Sequence, residues 1–176
     1  MTLFLHRFFG ALVLDPEAFE EVERDGHSAF QSFLVVAAVC AAAGVGAIGL
    51  GAGVVAFAAG MVLALGAWLV WAGVVMTLGT VALPERSTAS DLPELLRVLG
   101  FAAAPGVFIA LAALRPAAPV VLALVSAWMI AAGVVGIRQA LDYRSTARAI
   151  VVCVVAWLLS MAVVILVAGM LTRAVS

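Results

Sequence analysis

Four arginines near the ends of apolar segments are the residues of this sequence whose chemistry best suits a ligand. They are Arg97, Arg138, Arg144 and Arg148. A guanidinium group is always charged and holds phosphate oxygens through paired N–H donors, so together with Arg86 these residues would suit lipid phosphates at a membrane surface. The alternative is that the arginines only set the orientation of the protein in the membrane.

The sequence shows no residues with the types and spacing of a catalytic or metal site. No ionisable residue lies deep inside an apolar run, where proton relays and coupled transporters need one. The histidines, His6 and His27, flank the first soluble stretch, and the cysteines, Cys40 and Cys153, are interpreted as small packing residues. No glycine-rich phosphate loop follows a strand. We therefore expect no enzyme, no cofactor, no metal and no nucleic-acid partner.

The composition requires lipid as the solvent for most of the chain. Of 176 residues, 66% are hydrophobic and 11% charged, with a mean hydropathy of +1.27. Soluble domains have roughly 45–50% apolar and about 25% charged residues. Apolar runs of roughly 20 residues span a bilayer as helices, whereas barrel strands would alternate polar and apolar residues. The composition therefore predicts an all-α polytopic membrane protein.

Five apolar runs predict a bundle of five transmembrane helices. We expect residues 29–172 to form one membrane domain, preceded by a cytoplasmic and interfacial segment at 1–28. The expected spans cover, approximately, residues 29–48, 54–83, 95–114, 120–141 and 149–171.

Two short helices are predicted in the N-terminal segment. Thr2–Leu14 fits a helix in the membrane interface, with its phenylalanines in lipid and His6 and Arg7 toward the head groups. Asp15 would cap a second, acidic helix over Pro16–Arg24. Residues 1–29 contain two arginines and six carboxylates. This acidic face is either simply solvated or a docking surface for a basic partner.

The third apolar run, Leu95–Phe108, contains a proline in its middle. Pro105 removes a backbone donor and clashes with the carbonyl of Phe101, so the helix is expected to kink and that carbonyl to need another partner. Gly106 lies on a small-residue face that permits close helix packing, as does Gly136 in the fourth run.

The distribution of arginines predicts the orientation. With five spans, the N-terminus and the second and fourth loops share one side of the membrane. Seven arginines lie on that side and two on the other, Arg115 and Arg173. The N-terminus is therefore expected in the cytoplasm and the C-terminus outside. Arg138 and Asp142 are four residues apart and would pair if the fourth helix continued that far.

The third run, LLRVLGFAAAPGVF, and the stretch Trp128–Trp157 resemble the Yip family, membrane proteins named for interaction with Rab-type GTPases. The resemblance also covers Leu-Asp-Pro-Glu at 14–17, which is similar to prokaryotic members. The residues that carry it are Gly100, Phe101, Pro105, Gly136, Arg138, Ser145, Arg148 and Ala149.

The resemblance implies five spans with a cytoplasmic N-terminus and, for eukaryotic members, a role in vesicle traffic through small GTPases. This chain lacks the long cytosolic N-terminal region of those members. Its basic residues are all arginine, which suggests a GC-rich prokaryotic source. We therefore do not expect the GTPase role to apply.

The function expected from the sequence is that of a non-enzymatic scaffold or adaptor in the inner (plasma) membrane. Its partners would be membrane lipids or a protein at the cytoplasmic face, and a homo-oligomer remains open. The alternative is a small transporter or channel for a neutral or lipidic solute, lined by the kinked third span. A polar, water-filled cavity at the kink would favour the alternative, and tightly packed small residues would favour the scaffold.

Overall fold

The computed structural model describes residues 2–51, 53–86, 88 and 90–175, and within this part of the chain it consists of helices without strands. The all-α prediction is confirmed. The α-helices are α1 (Thr2–Leu12), α2 (Pro16–Arg24), α3 (Ser28–Gly49), α4 (Val54–Thr77), α5 (Leu92–Ala102), α6 (Ala118–Ala140) and α7 (Thr146–Val175). A π-helical turn, Leu78–Ala82, extends α4, and a 3₁₀ helix, Ala104–Ala113, follows α5.

Four of the described helices are long and apolar enough to cross a membrane. They cover Ser28–Gly49, Phe57–Ala82, Arg115–Ala140 and Thr146–Val167. The pair formed by α5 and the 3₁₀ helix also qualifies, and its two parts are bent by 40°. The chain is therefore a polytopic helical membrane protein with four spans, or five if the bent pair crosses as one span. The count of five stays a prediction.

Polar contacts show which loops lie together. At one end, which we call the α2 end, Arg97 Nη2 on α5 donates to the carbonyl of Glu23 at 2.7 Å, and Glu85 after α4 accepts from the backbone N–H of Arg144 before α7 at 2.9 Å. At the far end, Arg115 Nε donates to the carbonyl of Gly49 at 2.8 Å. The helices therefore run up and down between these two ends.

Helix α1 is docked onto the bundle through its charged residue. Arg7 is only 2% exposed, and its guanidinium donates to Glu21 at 3.0 Å, to Asp25 at 2.8 Å and to Gln31 at 3.1 Å. The expectation that Arg7 points toward the head groups is therefore wrong, because three acceptors on α2, the following turn and α3 hold it inside. The phenylalanines divide between core and surface: the ring of Phe4 lies 6.2 Å from that of Phe101, whereas Phe9 is exposed.

Helix α2 forms as its sequence predicts. The side chain of Asp15 accepts from the backbone N–H of Glu17 at 3.0 Å, which satisfies one free donor of the first turn. Phe19 and Val22 are buried against the bundle, and the carboxylates lie on the other side of the helix. This arrangement places an acidic surface over one end of an apolar bundle.

The bent pair begins with a capping box and changes helix type at the proline. The side chain of Asp91 accepts from the backbone N–H of Glu94 at 2.8 Å, and the carboxylate of Glu94 accepts in return from Asp91. The bend follows at Ala103, and the N–H of Gly106 donates to the carbonyl of Ala103 at 2.8 Å. The kink was predicted; the continuation as a 3₁₀ helix was not.

Candidate functional site

An open cavity of about 930 Å³ lies at the α2 end, where the second loop meets the fourth loop and the start of α7. We call this cavity the arginine groove. Its lining residues are Pro84, Glu85, Arg86, Arg144, Ser145 and Arg148. The structure thus brings Arg144 and Arg148, two of the four arginines selected from the sequence, together with Arg86.

Glu85 is the centre of the groove's frame. Its carboxylate accepts from the backbone N–H of Arg144 at 2.9 Å and from that of Ser145 at 3.2 Å. The side chain is only 12% exposed. The hydrogen bond from the Arg144 N–H, with help from Ser145 and the charge of Arg148, lowers the pKa of Glu85 against the opposing effect of burial. Glu85 is therefore a charged staple between the two loops.

Arg148 fastens α7 to the second loop. Its Nη1 donates to the carbonyl of Pro84 at 2.6 Å, and its Nε lies 3.6 Å from a carboxylate oxygen of Glu85. Its backbone N–H donates to the hydroxyl of Ser145 at 3.3 Å, as in an N-cap. Arg148 is thus largely used in holding the frame.

Arg86 and Arg144 are differently placed. Both side chains are exposed, and within the part of the chain that the structure describes neither guanidinium has an ion-pair partner. They line the same groove from two different loops. These two guanidinium groups are therefore available to a ligand.

Tyr143 supports the groove from inside and was not selected from the sequence. Its hydroxyl lies 2.9 Å from the carbonyl oxygens of both Gly79 and Leu83, so its single hydrogen is shared between two acceptors at the end of α4. Burial raises the pKa of Tyr143. The signal that could have found it is its uniqueness, because it is the chain's one tyrosine and lies in a polar loop.

Arg97 and Arg138 lie outside the arginine groove. Arg97 holds α2 onto α5 through the carbonyl of Glu23. Arg138 lines a separate, polar cavity of about 200 Å³ with Glu20, Glu23 and Asp142. Helix α6 ends at Ala140, so the condition for a helical pair between Arg138 and Asp142 is not met. The single basic patch expected from the sequence is divided into two regions.

The region around Arg138 is dominated by carboxylates. The pKa of Glu23 is raised to about 7, first by burial and then by the charges of Asp142, Glu94 and Glu20. A further cavity of about 700 Å³ lies on the other face of α2, lined by His6, Asp15, Glu17, Glu20, Glu21, Arg24 and Asp25. The groove is thus the basic part of an otherwise acidic end.

The small residues selected from the sequence lie where helices approach closely. A Cβ on Gly100 would overlap the hydroxyl of Ser32, which donates to the carbonyls of Leu96 and Arg97. A Cβ on Gly106 would lie 2.6 Å from a methyl carbon of Val39, and one on Gly136 would lie 3.1 Å from a methyl carbon of Val98. Phe101 and Pro105 are fully buried.

The cavity beside the bend is small and mainly apolar. It measures about 90 Å³, and its walls include Trp71, Ala102, Met129 and Cys153, with Ser126 as the one hydroxyl. Pockets for small-molecule ligands typically measure about 300–1,000 Å³. Among the described residues, no group of three or more His, Cys, Asp or Glu could hold a metal ion. The bend is therefore a packing feature more than a polar path.

The comparisons with known proteins agree with the helical membrane architecture. Residues 9–168 match the family model described as the Yip1 domain. No curated protein and no solved structure matches the chain.

Proposed function

The chain belongs to the Yip1 domain family, and from this premise we propose that it acts as a non-enzymatic scaffold or adaptor in the membrane. Its contact surface would be the arginine groove, which engages membrane lipids or a partner protein. Arg86 and Arg144 would make the contact, and Glu85, Tyr143 and Arg148 would hold the surface in shape.

One observation carries this proposal: two unpaired guanidinium groups project from a frame that is itself fully bonded. The carboxylate of Glu85 is saturated by two backbone donors, and Arg148 is committed to Pro84. Holding the flanking backbone in place reduces the entropy lost when a partner binds. An arginine that served topology alone would need no such support.

The proposed location is the inner or plasma membrane, with the α2 end in the cytoplasm. The groove arginines, Arg97 and Arg138 all lie at the α2 end, whereas Arg115 lies at the far end. The side chain of Arg173, the other residue expected there, lies outside the described part of the chain. An excess of arginine on one side favours the cytoplasm for that side.

Photocrosslinking in native membranes tests the proposal. A photoreactive amino acid at Ala147, which is exposed at the start of α7, should capture lipid or protein partners. We expect Arg86→Gln with Arg144→Gln to reduce that capture severalfold, because both free charges are lost. The same probe at the exposed Ala117 of the far end is the positional control, and Arg24→Gln is the charge control. Equal capture by the double variant would contradict the proposal, as would no specific capture by wild-type protein.

The cavity at the bend favours a second candidate, a transporter or channel for a neutral or lipidic solute. Its apolar walls and volume of about 90 Å³ would admit only a small apolar group without rearrangement. Filling the cavity with Ala103→Leu should reduce solute flux through reconstituted protein if this candidate is correct. Crosslinking at Ala147 should be unaffected by the same change.

A further inference from the structure

We infer that the arginine groove binds a phospholipid whose headgroup carries two phosphates, with Arg86 and Arg144 each holding one. The inference rests on the proposed function, because it names the ligand of the same surface. It follows from the charges, the size and the surroundings of the groove.

The charges of the groove leave two positive groups without a counter-charge. Three arginines and one carboxylate line it. The carboxylate of Glu85 lies 3.6 Å from Arg148, so these two offset each other. Arg86 and Arg144 remain, and α7 begins beside them at Thr146, where the positive end of the helix dipole also favours an anion. A ligand with two negative charges would balance this set.

The arrangement of the two arginines favours two phosphates over one. Arg86 comes from the loop after α4 and Arg144 from the loop before α7, and the cavity that they share measures about 930 Å³. A guanidinium group typically binds one phosphate through two parallel hydrogen bonds. Two such groups on separate loops therefore offer two phosphate positions in a space large enough for a headgroup.

The surface next to the groove favours a lipid over a soluble diphosphate. Val81, in the π-helical turn just before the groove, is 75% exposed. Ile150 and Val154, on the first turns of α7, are 46% and 36% exposed. The π-helical turn contacts α7, so these side chains form an apolar strip that leads from the groove toward the membrane interior. Acyl chains would lie on this strip while the phosphates bind the arginines.

Native mass spectrometry of the full chain in detergent tests the inference. The probes are diphosphatidylglycerol, with two phosphates, phosphatidylglycerol, with one, and phosphatidylcholine, which is neutral. We expect wild-type protein to bind diphosphatidylglycerol about tenfold more tightly than phosphatidylglycerol, since the second guanidinium is used only by the first lipid. Arg86→Gln and Arg144→Gln should each abolish this preference, and Arg24→Gln should preserve it.

Further arms separate the alternatives. Equal binding of the two anionic lipids would overturn the inference but leave the proposed function standing if crosslinking at Ala147 is still lost in the double variant. Inorganic pyrophosphate that binds as tightly as diphosphatidylglycerol would overturn the lipid part. Arg86→Lys and Arg144→Lys keep the charge but lose the paired donors, so a preference retained in both would overturn the assignment of one guanidinium to each phosphate. Unchanged thermal midpoints establish that the variants are folded.

Discussion

Glu85 is the residue whose role differs most between sequence and structure. In the sequence it is one carboxylate in a polar loop, whereas the arginines nearby attract attention. The structure places it at 12% exposure with both oxygens used, and it orders the backbone from which Arg144 projects. The sequence could indicate the arginines because their type alone limits what they do. It could not indicate Glu85, because its importance depends on a contact between residues 59 positions apart.

Replacing Glu85 by glutamine should destabilise the protein by about 1–3 kcal/mol, because an amide can accept from only one of the two backbone donors. The loss should depend on pH. The pKa of Glu85 is lowered by folding, so its contribution is complete above its ordinary value of 4.5 and disappears as the pH falls through the folded value. Unfolding in mixed micelles at pH 7 and at acidic pH measures both effects.

The matched control is Glu17→Gln, at an exposed position on α2. It should change the free energy of unfolding by no more than about 0.5 kcal/mol at either pH. Titration of Glu23, with its pKa near 7, affects wild type and both variants alike and is removed by subtraction. If the two glutamine variants have the same stability at pH 7, Glu85 does not hold the loops together.

The bent pair shows at the scale of an element what a sequence can and cannot predict. Proline chemistry is local, so a kink at Pro105 follows from the sequence. The 3₁₀ path beyond it is not local. It places Gly106 against Val39 of α3 and Met129 of α6, and those neighbours come from distant parts of the chain. The small residues were identified from their spacing, but their partners required the structure.

Replacing Pro105 by alanine should lower the free energy of unfolding by about 1–3 kcal/mol. The change removes a buried ring and restores an N–H group that allows the α-helix to continue, which would move Gly106 from its position between α3 and α6. Pro119→Ala is the matched control, because that proline is exposed in the first turn of α6. Thermal midpoints in detergent compare the two variants. If both are as stable as wild type, the bend is not what the bundle is built around.

At the scale of the whole molecule, the sequence predicts the architecture well and the surface poorly. Hydropathy alone locates the long helices, and the family match agrees with them. The distribution of charge at the α2 end was less accessible. The sequence suggested one basic patch, whereas folding buries Arg7, assigns Arg97 to α2 and places Arg138 among carboxylates. Each of these outcomes depends on which loops meet at one end.

Labelling with a membrane-impermeant maleimide should reveal the orientation. Ala147→Cys lies at the α2 end and Ala117→Cys at the far end, and both positions are exposed. In intact cells we expect reagent to reach Cys at 117 only, and in inverted membrane vesicles Cys at 147 only. The native Cys40 and Cys153 are buried, so the unmodified chain provides the background. The reverse pattern would place the arginine groove outside the cytoplasm.

Tyr143 gives the groove a property that loops rarely have. Its hydroxyl joins the fourth loop to two carbonyls at the end of α4, while Glu85 joins the second loop to the start of α7. These ties cross, so neither loop can move without displacing a membrane helix. The spacing between the attachment points of Arg86 and Arg144 is therefore set by how α4 and α7 pack. The groove acts as a caliper whose jaws are opened and closed by the bundle.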